Sequence, residues 1–315
     1  MQDDLDWSHP ATILAHDPRF SEGAVVPPLY QTSLFTFESY DHMRATFAGR
    51  TGQPVYSRVG NPTTAVFEDK LARLEGAEAA RGFASGMAAI SGAVLSQVRS
   101  GDRVVCVRHV YPDAYRFFEV LLPRMGVTVD YVDGRDLGAM ESALVGARVL
   151  YLESPTSWVF EVQDVALLSA IARREGAVTI IDNSWASPIF QRPLLHGADL
   201  VVHSASKYLS GHSDTVAGVV AGSAELIGTI NRIVLPYLGA KLSPIEGWLL
   251  VRGLRTLELR MRAHERSAIA IAEAMRAHPA IMRVLHPTLD GTVDGRQLTG
   301  SSGLFSLELA GGIDV

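Results

Sequence analysis

Short apolar runs alternate with helical patterns through the middle of the chain. The runs are rich in Val, Ile and Leu and have the length of buried strands. They lie at residues 104–107, 127–132, 149–152, 178–181 and 200–202. Patterns typical of amphipathic helices separate them, at residues 87–98, 114–125, 137–144 and 165–174. This alternation predicts an α/β fold with a mainly parallel central sheet that helices cover on both faces.

The segments on either side of this alternation predict the domain organisation. Residues 1–55 are irregular, so we expect an N-terminal arm that lies on the body of the protein or on a partner. Residues 56–243 form the predicted large domain, and residues 244–315 lead into a small α+β C-terminal domain. An arginine-rich helix with a kink near Gly253 connects the two domains. Further strands are predicted at residues 216–220, where the strand is expected to be antiparallel, and at 281–285 and 304–309.

Two of the predicted strands end in residues that can carry chemistry. Asp182 follows the run at 178–181, and Lys207 follows the run at 200–202. The carboxyl ends of parallel strands meet at the sheet edge where α/β folds bind ligands. A lysine there can act as an amine nucleophile. The carboxylate can cap a turn, or it can hold the protonated nitrogen of a pyridine ring.

Lysine is scarce in this chain, which sharpens the interpretation of Lys207. The sequence contains three lysines, at positions 70, 207 and 241, because arginine supplies the other positive charges. Lysine can lose its proton and arginine cannot, so a lysine retained at the end of an apolar strand favours a chemical role. Lys70 lies in a helical pattern beside Glu68 and Asp69, and we expect it on the solvated surface.

Hydroxyl and glycine residues near this edge could hold a phosphate group. Ser204 and Ser206 are two residues apart, so their hydroxyls can face the same side of an extended segment. Ser85 and Gly86 precede a helix, whose free amides and dipole favour an anion, although a simple helix cap is the alternative. Tyr111 is a candidate to stack on a ring, or else an ordinary buried tyrosine. Lysine, carboxylate and phosphate cradle together describe a site for pyridoxal phosphate.

Several stretches in a fixed order resemble one family of enzymes. They are PPLYQTSLF, YSRVGNPT, ASGMAAI, ESPTS, IIDNSWASP, HSASKYLSGHSD, LSPIEGWLLVRGLRTLELRM and TGSSGLFSLEL. The chain resembles the Cys/Met-metabolism family of pyridoxal-phosphate enzymes, which includes cystathionine lyases and synthases and the homoserine sulfhydrylases. The resemblance covers nearly the whole chain. It implies fold type I of the pyridoxal-phosphate-dependent transferases and a small sulfur-containing amino acid as substrate.

The resemblance also implies roles for individual residues. Lys207 would form the Schiff base and carry protons, Asp182 would pair with the pyridine nitrogen, and Tyr111 would stack on the ring. The amides of Gly86 and Met87, with Ser204 and Ser206, would hold the phosphate. Tyr56 and Arg58 would reach into the site of a neighbouring subunit, with Tyr56 taking part in catalysis. The resemblance therefore implies a homodimer with shared active sites, usually paired into a homotetramer.

Details of the motifs point to different reactions within the family. Trp185 in DNSWASP, Ser157 in ESPTS and the TGSSGLFS stretch favour a bacterial cystathionine β-lyase, which produces homocysteine, pyruvate and ammonia. YSRVGNPT and LSPIEGWLLVRGL instead favour γ-lyases, γ-synthases or O-acyl-homoserine sulfhydrylases. We predict the β-lyase and keep the γ-enzymes as the alternative. A truncated, non-enzymatic cofactor-binding scaffold is a further alternative, because the carboxylate-binding arginine of the family is expected beyond Val315.

Charge and cysteine content exclude several other classes of protein. The formal net charge is −6 and no basic run occurs, which argues against nucleic acid as a partner. No apolar run has the length of a membrane span, and the acidic start lacks a signal core, so we expect a cytoplasmic protein. The single cysteine, Cys106, lies inside an apolar run and is expected to be buried. No G-x-S-x-G or HExxH motif occurs, so neither a serine hydrolase nor a metal site is predicted.

Overall fold

The strand-forming runs of the sequence become a central sheet. The computed structural model describes residues 8–17, 20 and 23–311. Its strands are β1 (Ala79–Phe83), β2 (Arg103–Val107), β3 (Thr128–Val132), β4 (Val149–Glu153), β5 (Val178–Asp182), β6 (Leu200–His203), β7 (Gly218–Gly222), β8 (Ile281–Leu285) and β9 (Ser306–Leu309). Every predicted run overlaps one of these strands. The additional strand, β1, has Arg81 and Gly82 in its middle and therefore lacks the β-branched pattern.

Seven strands form one mixed, mostly parallel sheet. Their order is β1-β7-β6-β5-β4-β2-β3. β2 pairs in parallel with β3 and β4, and β4, β5 and β6 continue the parallel arrangement. β7 is antiparallel to both of its neighbours, β6 and β1. β8 and β9 form a separate antiparallel pair. The predicted α/β class with a mainly parallel sheet is confirmed.

Helices occupy the connections between the strands and the two ends of the chain. They are α1 (Pro10–Ala15), α2 (Tyr40–Phe47), α3 (Pro62–Glu75), α4 (Gly86–Leu95), α5 (Pro112–Arg116), α6 (Leu137–Leu144), α7 (Val165–Arg174), α8 (Ser187–Phe190), α9 (Ala224–Ile233), α10 (Leu235–Leu238), α11 (Pro244–Leu254) and α12 (Leu257–Arg276). None of the helices in the described ranges is long and apolar enough to cross a membrane.

Two of the predicted helices are interrupted. The helix predicted at 114–125 consists of α5, a π-helical turn and a 3₁₀ turn that begins at Pro123. Proline lacks the N–H that the next helical hydrogen bond needs, so a regular helix does not continue through it. The long connecting helix ends at Leu254 and resumes at Leu257, close to the kink predicted at Gly253.

Apolar clusters cover both faces of the sheet. Along β7, Val220 packs into one cluster, whereas Val219 and Ala221 pack into the other, as the alternation of side chains along a strand requires. α4 packs against β6 and β7 in the first cluster, and α3 packs against β1 and α11 in the second. Cys106 is fully buried in the first cluster, as predicted, and burial raises the pKa of its thiol.

Lys70 is not on the surface, and this prediction was wrong. Its side chain is 1% exposed, and Nζ lies 2.6 Å from Asp17 Oδ1. Nζ also donates to the Leu14 carbonyl at 3.1 Å, because α1 and the residues after it cover α3. Arg255 contacts the second oxygen of Asp17. The acidic neighbours of Lys70 in sequence misled the prediction, since its partner is far away along the chain.

The N-terminal arm is not irregular throughout, because α1 and α2 lie within it, and it packs on the body of its own chain. Trp248 Nε1 in α11 donates to the Pro27 carbonyl at 3.0 Å, and the Tyr30 amide donates to Thr63 Oγ1 at 2.9 Å. The predicted domain boundaries at residues 56 and 244 stay predictions. Residues 1–7 of the arm, with 18–19 and 21–22, and residues 312–315 at the other end lie outside the described part.

Candidate active site

The carboxyl ends of β4, β5 and β6 bring the predicted catalytic residues together. β5 ends at Asp182, whose Cα pairs with that of Glu153 on β4 and that of Val202 on β6. Lys207 lies in the turn that follows β6, and its amide donates to the Ser204 carbonyl at 3.2 Å. The carboxylate and the lysine therefore reach the same edge of the sheet.

A cavity of about 710 Å³ opens at this edge. Of the predicted site residues, Tyr111, Asp182, Ser206 and Lys207 line it. Lys207 Nζ lies 5.1 Å from the centroid of the Tyr111 ring, which is within the range of an attraction between an ammonium group and an aromatic face. The structure thus places an amine, a carboxyl group and an aromatic ring around one space.

Asp182 is buried but keeps its carboxyl group at the cavity wall. It is 7% exposed, and Oδ1 accepts a hydrogen bond from the Ser184 amide at 2.8 Å. Asn183, which follows β5, and His203, which ends β6, both contact the buried carboxyl group of Glu75. Glu75 Oε1 accepts from Asn183 Nδ2 at 3.1 Å and lies 2.6 Å from His203 Nε2. These bonds join the ends of β5 and β6 and so fix the segments that carry Asp182 and Lys207.

Glu153 is a site residue that the sequence reasoning did not assign. Its Oε2 accepts from the Tyr111 amide at 2.8 Å, and its Oε1 accepts from Ser157 Oγ at 2.5 Å. Burial and the neighbouring Asp182 charge raise the pKa of Glu153 to about 8. Its place at the end of the 149–152 run, in the ESPTS stretch, is the signal that could have identified it.

Arg260 is a second residue that the sequence analysis did not assign to the site. Its Nη1 donates to the Tyr208 carbonyl at 2.7 Å, and its Nη2 donates to the Gly253 carbonyl at 2.9 Å. It therefore holds the turn that follows Lys207 against α11. Arg260 also lines the cavity, and burial lowers the pKa of its guanidinium.

The start of α4 comes into close contact with the Ser204 segment. A Cβ atom at Gly86 would lie 2.8 Å from Ser204 Oγ, so only glycine allows this approach. The Ser85 hydroxyl caps the helix by accepting from the Ala88 amide at 3.0 Å. The first amides of a helix, here those of Gly86 and Met87, have no acceptor within the helix and can bind an anion. Gly86, Met87 and Ser204 are not among the residues that line the cavity, and their phosphate-binding role stays a prediction.

Ser206 is less available than its position in sequence suggests. Its hydroxyl donates to the Ala217 carbonyl at 3.1 Å and accepts from the Ala217 amide at 2.9 Å. These bonds pin the segment before Lys207 to the segment before β7. A phosphate-binding role for Ser206 stays a prediction.

Tyr56 and Arg58 do not line the cavity that contains Lys207. They line a separate cavity of about 280 Å³, together with Lys241 and residues of the arm. Arg58 Nη1 donates to the Pro236 carbonyl at 2.9 Å, and its guanidinium lies 5.4 Å from the centroid of the Tyr56 ring. Within one chain, Tyr56 and Arg58 therefore do not line the cavity of Lys207. Their role in a neighbouring subunit's site stays a prediction.

Comparison with known proteins decides the family. Residues 11–314 match the family described as "Cys/Met metabolism PLP-dependent enzyme". The protein belongs to this family. Its cofactor is pyridoxal phosphate, and Lys207, Asp182 and Tyr111 around the cavity offer an amine, a carboxyl group for the ring nitrogen and an aromatic ring for that molecule.

Relatives of this family member are enzymes of sulfur amino-acid metabolism. The chain is 41% identical to the L-methionine gamma-lyase of Pseudomonas putida over 304 residues, which are 95% of this chain and 76% of that protein. It is 38% identical to the O-succinylhomoserine sulfhydrylase of Pseudomonas aeruginosa, over 96% of this chain and 76% of that protein.

A solved structure shows the same fold. The cystathionine gamma synthase of Xanthomonas oryzae pv. oryzae superposes with a TM-score of 0.90 at 32% identity, covering 97% of this chain and 79% of that one. This likeness confirms the expected fold type I of the family.

The relatives named above are a gamma-lyase, a sulfhydrylase and a gamma synthase, so they favour the alternative rather than the predicted β-lyase. The structure also explains two of the residues on which the β-lyase prediction rested. Trp185 Nε1 donates to the Leu304 carbonyl at 3.0 Å, and Ser157 donates to Glu153. Both side chains hold the wall of the cavity, and neither contact depends on which bond of a substrate is broken.

Proposed function

We propose that the protein is a γ-lyase that releases a thiol from a methionine-like sulfur amino acid, with 2-oxobutyrate and ammonia as the other products. The observation that carries the proposal is the pair formed by Lys207 and Tyr111, an amine and a phenol ring 5.1 Å apart in one cavity. Elimination at the γ-carbon needs a base for carbon-bound protons and an acid for the departing sulfur. The names of several relatives agree with this reaction.

The residues that would hold the cofactor lie in the cavity wall and, for its phosphate, at the contact between Ser204 and the start of α4. Lys207 would bind it covalently, Asp182 would face the ring nitrogen, and Tyr111 would lie against the ring. The start of α4 and Ser204 would hold the phosphate. When bound, pyridoxal phosphate draws electrons from the substrate's α-carbon and so acidifies the protons on that carbon and its neighbour.

Lys207 is the base that the site offers. Its side chain is exposed to the cavity, and its flexible four-carbon stem lets Nζ reach more than one carbon of the substrate. Arg260 and the Ser206–Ala217 hydrogen bonds hold the turn that carries Lys207. The backbone of Lys207 is therefore fixed, while its side chain can move. Nζ can therefore take a proton from the α-carbon of the substrate and return one to another of its carbons.

Tyr111 is the acid that the site offers. Burial, reinforced by Asp113, raises the pKa of its phenol above the ordinary value, so the phenol keeps its proton at neutral pH. The hydroxyl donates to Asp113 Oδ2 at 3.1 Å, which fixes its direction. It can pass its proton to the sulfur of a leaving thiolate.

The rest of the wall suits a thioether chain. The aromatic side chains Trp158, Phe160 and Trp185 line the cavity, and the rings of Phe160 and Trp185 lie 6.1 Å apart. A sulfur atom packs favourably against the edges of aromatic rings. The cavity wall therefore supports a substrate with an apolar, sulfur-containing side chain.

Product analysis tests the proposed reaction. The holoenzyme is incubated separately with L-methionine and with cystathionine, and the keto acids and thiols are identified. We expect 2-oxobutyrate with methanethiol from methionine. Pyruvate with homocysteine from cystathionine would instead establish β-elimination and overturn the proposal. Thioether formation from an O-acyl-homoserine and a thiol, without 2-oxobutyrate, would show γ-replacement and overturn it as well.

The matched control for this assay is K207R. Arginine keeps the positive charge but cannot act as the base, so we expect turnover to fall by at least about 10³-fold. Retention of turnover in K207R would show that Lys207 is not the base.

A further inference from the structure

Two carboxyl groups end neighbouring strands at the floor of the cavity. Glu153 and Asp182 are Cα partners in the parallel pair β4–β5, where strands lie about 4.8 Å apart and paired side chains point to the same face. Both residues are buried, at 8% and 7% exposure, and both line the cavity. Each accepts a backbone N–H, from Tyr111 and from Ser184 respectively.

The surroundings contain little that could stabilise two negative charges. Neither carboxyl group forms an ion pair with a side chain in the described part of the chain. The groups that face Glu153 are Asp182 on β5, Cys106 on β2, Tyr151 on its own strand and Lys207 beyond β6. Burial raises the pKa of Cys106 and of Tyr151, so both stay neutral. Lys207 alone lowers the pKa of Glu153 through its charge.

Two carboxyl groups this close in a poorly solvated site ionise one at a time. The pKa of Glu153, raised to about 8 by burial and by Asp182, indicates that Glu153 is the protonated member. Ser157 Oγ donates to Glu153 Oε1 at 2.5 Å, and this bond lowers the pKa of Glu153 by less than burial and Asp182 raise it.

We propose that Glu153 and Asp182 act as a pair in which Glu153 holds the proton and Asp182 holds the charge. Glu153 is then a positioning residue. Because it stays neutral, the negative charge is on Asp182, beside the ring nitrogen of the cofactor. The inference rests on the cofactor of the family and holds for elimination at either carbon, so failure of the γ-lyase assay would leave it standing.

The substitution E153Q tests the proton on Glu153. Glutamine resembles the protonated acid, since its Oε1 can accept from the Tyr111 amide while its Nε2 donates to Ser157. In the wild-type holoenzyme we expect the infrared carbonyl signal of a protonated carboxyl group at pH 7, lost as the pH rises through about 8. The signal should be missing from E153Q. The matched control is E68Q, because Glu68 is another buried carboxyl group with a raised pKa, away from the cavity.

The visible absorbance of the bound cofactor gives a second readout. At pH 7 we expect E153Q to bind pyridoxal phosphate within about twofold of wild type, because the hydrogen bonds are kept. The wild-type change in the absorbance band near pH 8 should be absent from E153Q. A carbonyl signal at pH 7 that persists in E153Q, or cofactor binding weakened beyond that range, would overturn the inference.

Thermal stability gives a third readout with a defined sign. A carboxyl group whose pKa is raised in the folded state binds its proton more tightly there than in the unfolded chain. The contribution of Glu153 to wild-type stability must therefore fall as the pH rises from the ordinary value of 4.5 toward 8. E153Q lacks this group, so its melting temperature relative to wild type should increase over that interval. A constant difference across the interval would contradict a protonated Glu153.

Discussion

At the scale of single residues, two of the three lysines show how far sequence context can be trusted. Lys207 stands at the end of a buried strand, and this local pattern was enough to predict its place at the sheet edge. Lys70 follows Glu68 and Asp69 in a helical pattern, and these acidic neighbours indicated an exposed position. Its partner, Asp17, lies on a distant segment, so the pattern around Lys70 contained no sign of its burial.

The buried ion pair leads to a prediction about stability. Replacing Lys70 by methionine leaves the Asp17 carboxylate with Arg255 as its remaining side-chain partner. Removal of one member of a buried pair costs about 3–5 kcal/mol, so we expect K70M to lose roughly that free energy of unfolding. Urea denaturation of the holoenzyme measures the loss.

The neighbouring substitution D69N serves as the control, because Asp69 is exposed on the same helix. It should stay within about 0.5 kcal/mol of wild type. Equal stability of K70M and D69N would show that the buried pair contributes nothing to folding.

Site residues were predictable to different degrees for a physical reason. Asp182, Lys207 and Gly86 lie where a strand ends or a helix begins, and such boundaries are visible in the sequence. Glu153 also ends a strand, but its proton depends on Asp182 across the sheet. The sequence alone does not show that Asp182 lies next to Glu153. Trp158, which lines the cavity, carries no periodic signal at all.

At the scale of elements, the positions of most strands along the chain were predicted from the alternation of patterns, whereas β1, the order of the strands in the sheet and details of the helices were not. The strand runs could be located because a fully buried strand needs a continuous apolar stretch. The break between α11 and α12 was predicted at Gly253, but the glycine serves a different purpose. A Cβ atom at Gly253 would lie 2.3 Å from the Ser210 carbonyl and 2.7 Å from that of Leu209. The glycine lets α11 touch the turn that follows Lys207.

This close contact predicts an effect on the cofactor site. In G253A the turn after Lys207 must move, so we expect a loss of about 1–3 kcal/mol in stability together with weaker cofactor retention. Thermal unfolding and the cofactor absorbance after dialysis measure the two effects.

G228A is the matched control within a helix. A Cβ atom there would meet only the flexible end of Arg232, at 3.1 Å. We expect G228A to be stabilised by up to about 1 kcal/mol with normal cofactor retention. If G253A behaved like G228A, the contact between α11 and the lysine turn would have no influence on the site.

At the scale of the whole molecule, the homodimer with shared sites stays a prediction, and exposed apolar residues are one reason to test it. Val25, Leu34 and Val59, in the arm and the loop after it, are exposed in a single chain, as is Tyr237 beside the carbonyl that binds Arg58. Large exposed apolar areas mark protein interfaces. The second cavity, which Tyr56 and Arg58 line, lies in this region.

A complementation experiment tests whether two chains share each site. K207A and R58A should each be inactive alone, since each lacks one part of every site. After unfolding and refolding as an equal mixture, half of the dimers contain one chain of each kind, with one intact site in two. We therefore expect about a quarter of wild-type activity to return. Continued inactivity of a mixture that forms mixed dimers would exclude the shared site.

The single cysteine of this sequence has a consequence for an enzyme that produces thiols. Cys106 is fully buried in the sheet, and its thiol stays protonated. Disulfide exchange requires an accessible thiolate. Within these 315 residues, a thiol product or its oxidised form therefore finds no sulfur with which to form a mixed disulfide. The protein can accumulate its proposed product, and work through cycles of oxidation, without being covalently inactivated by it.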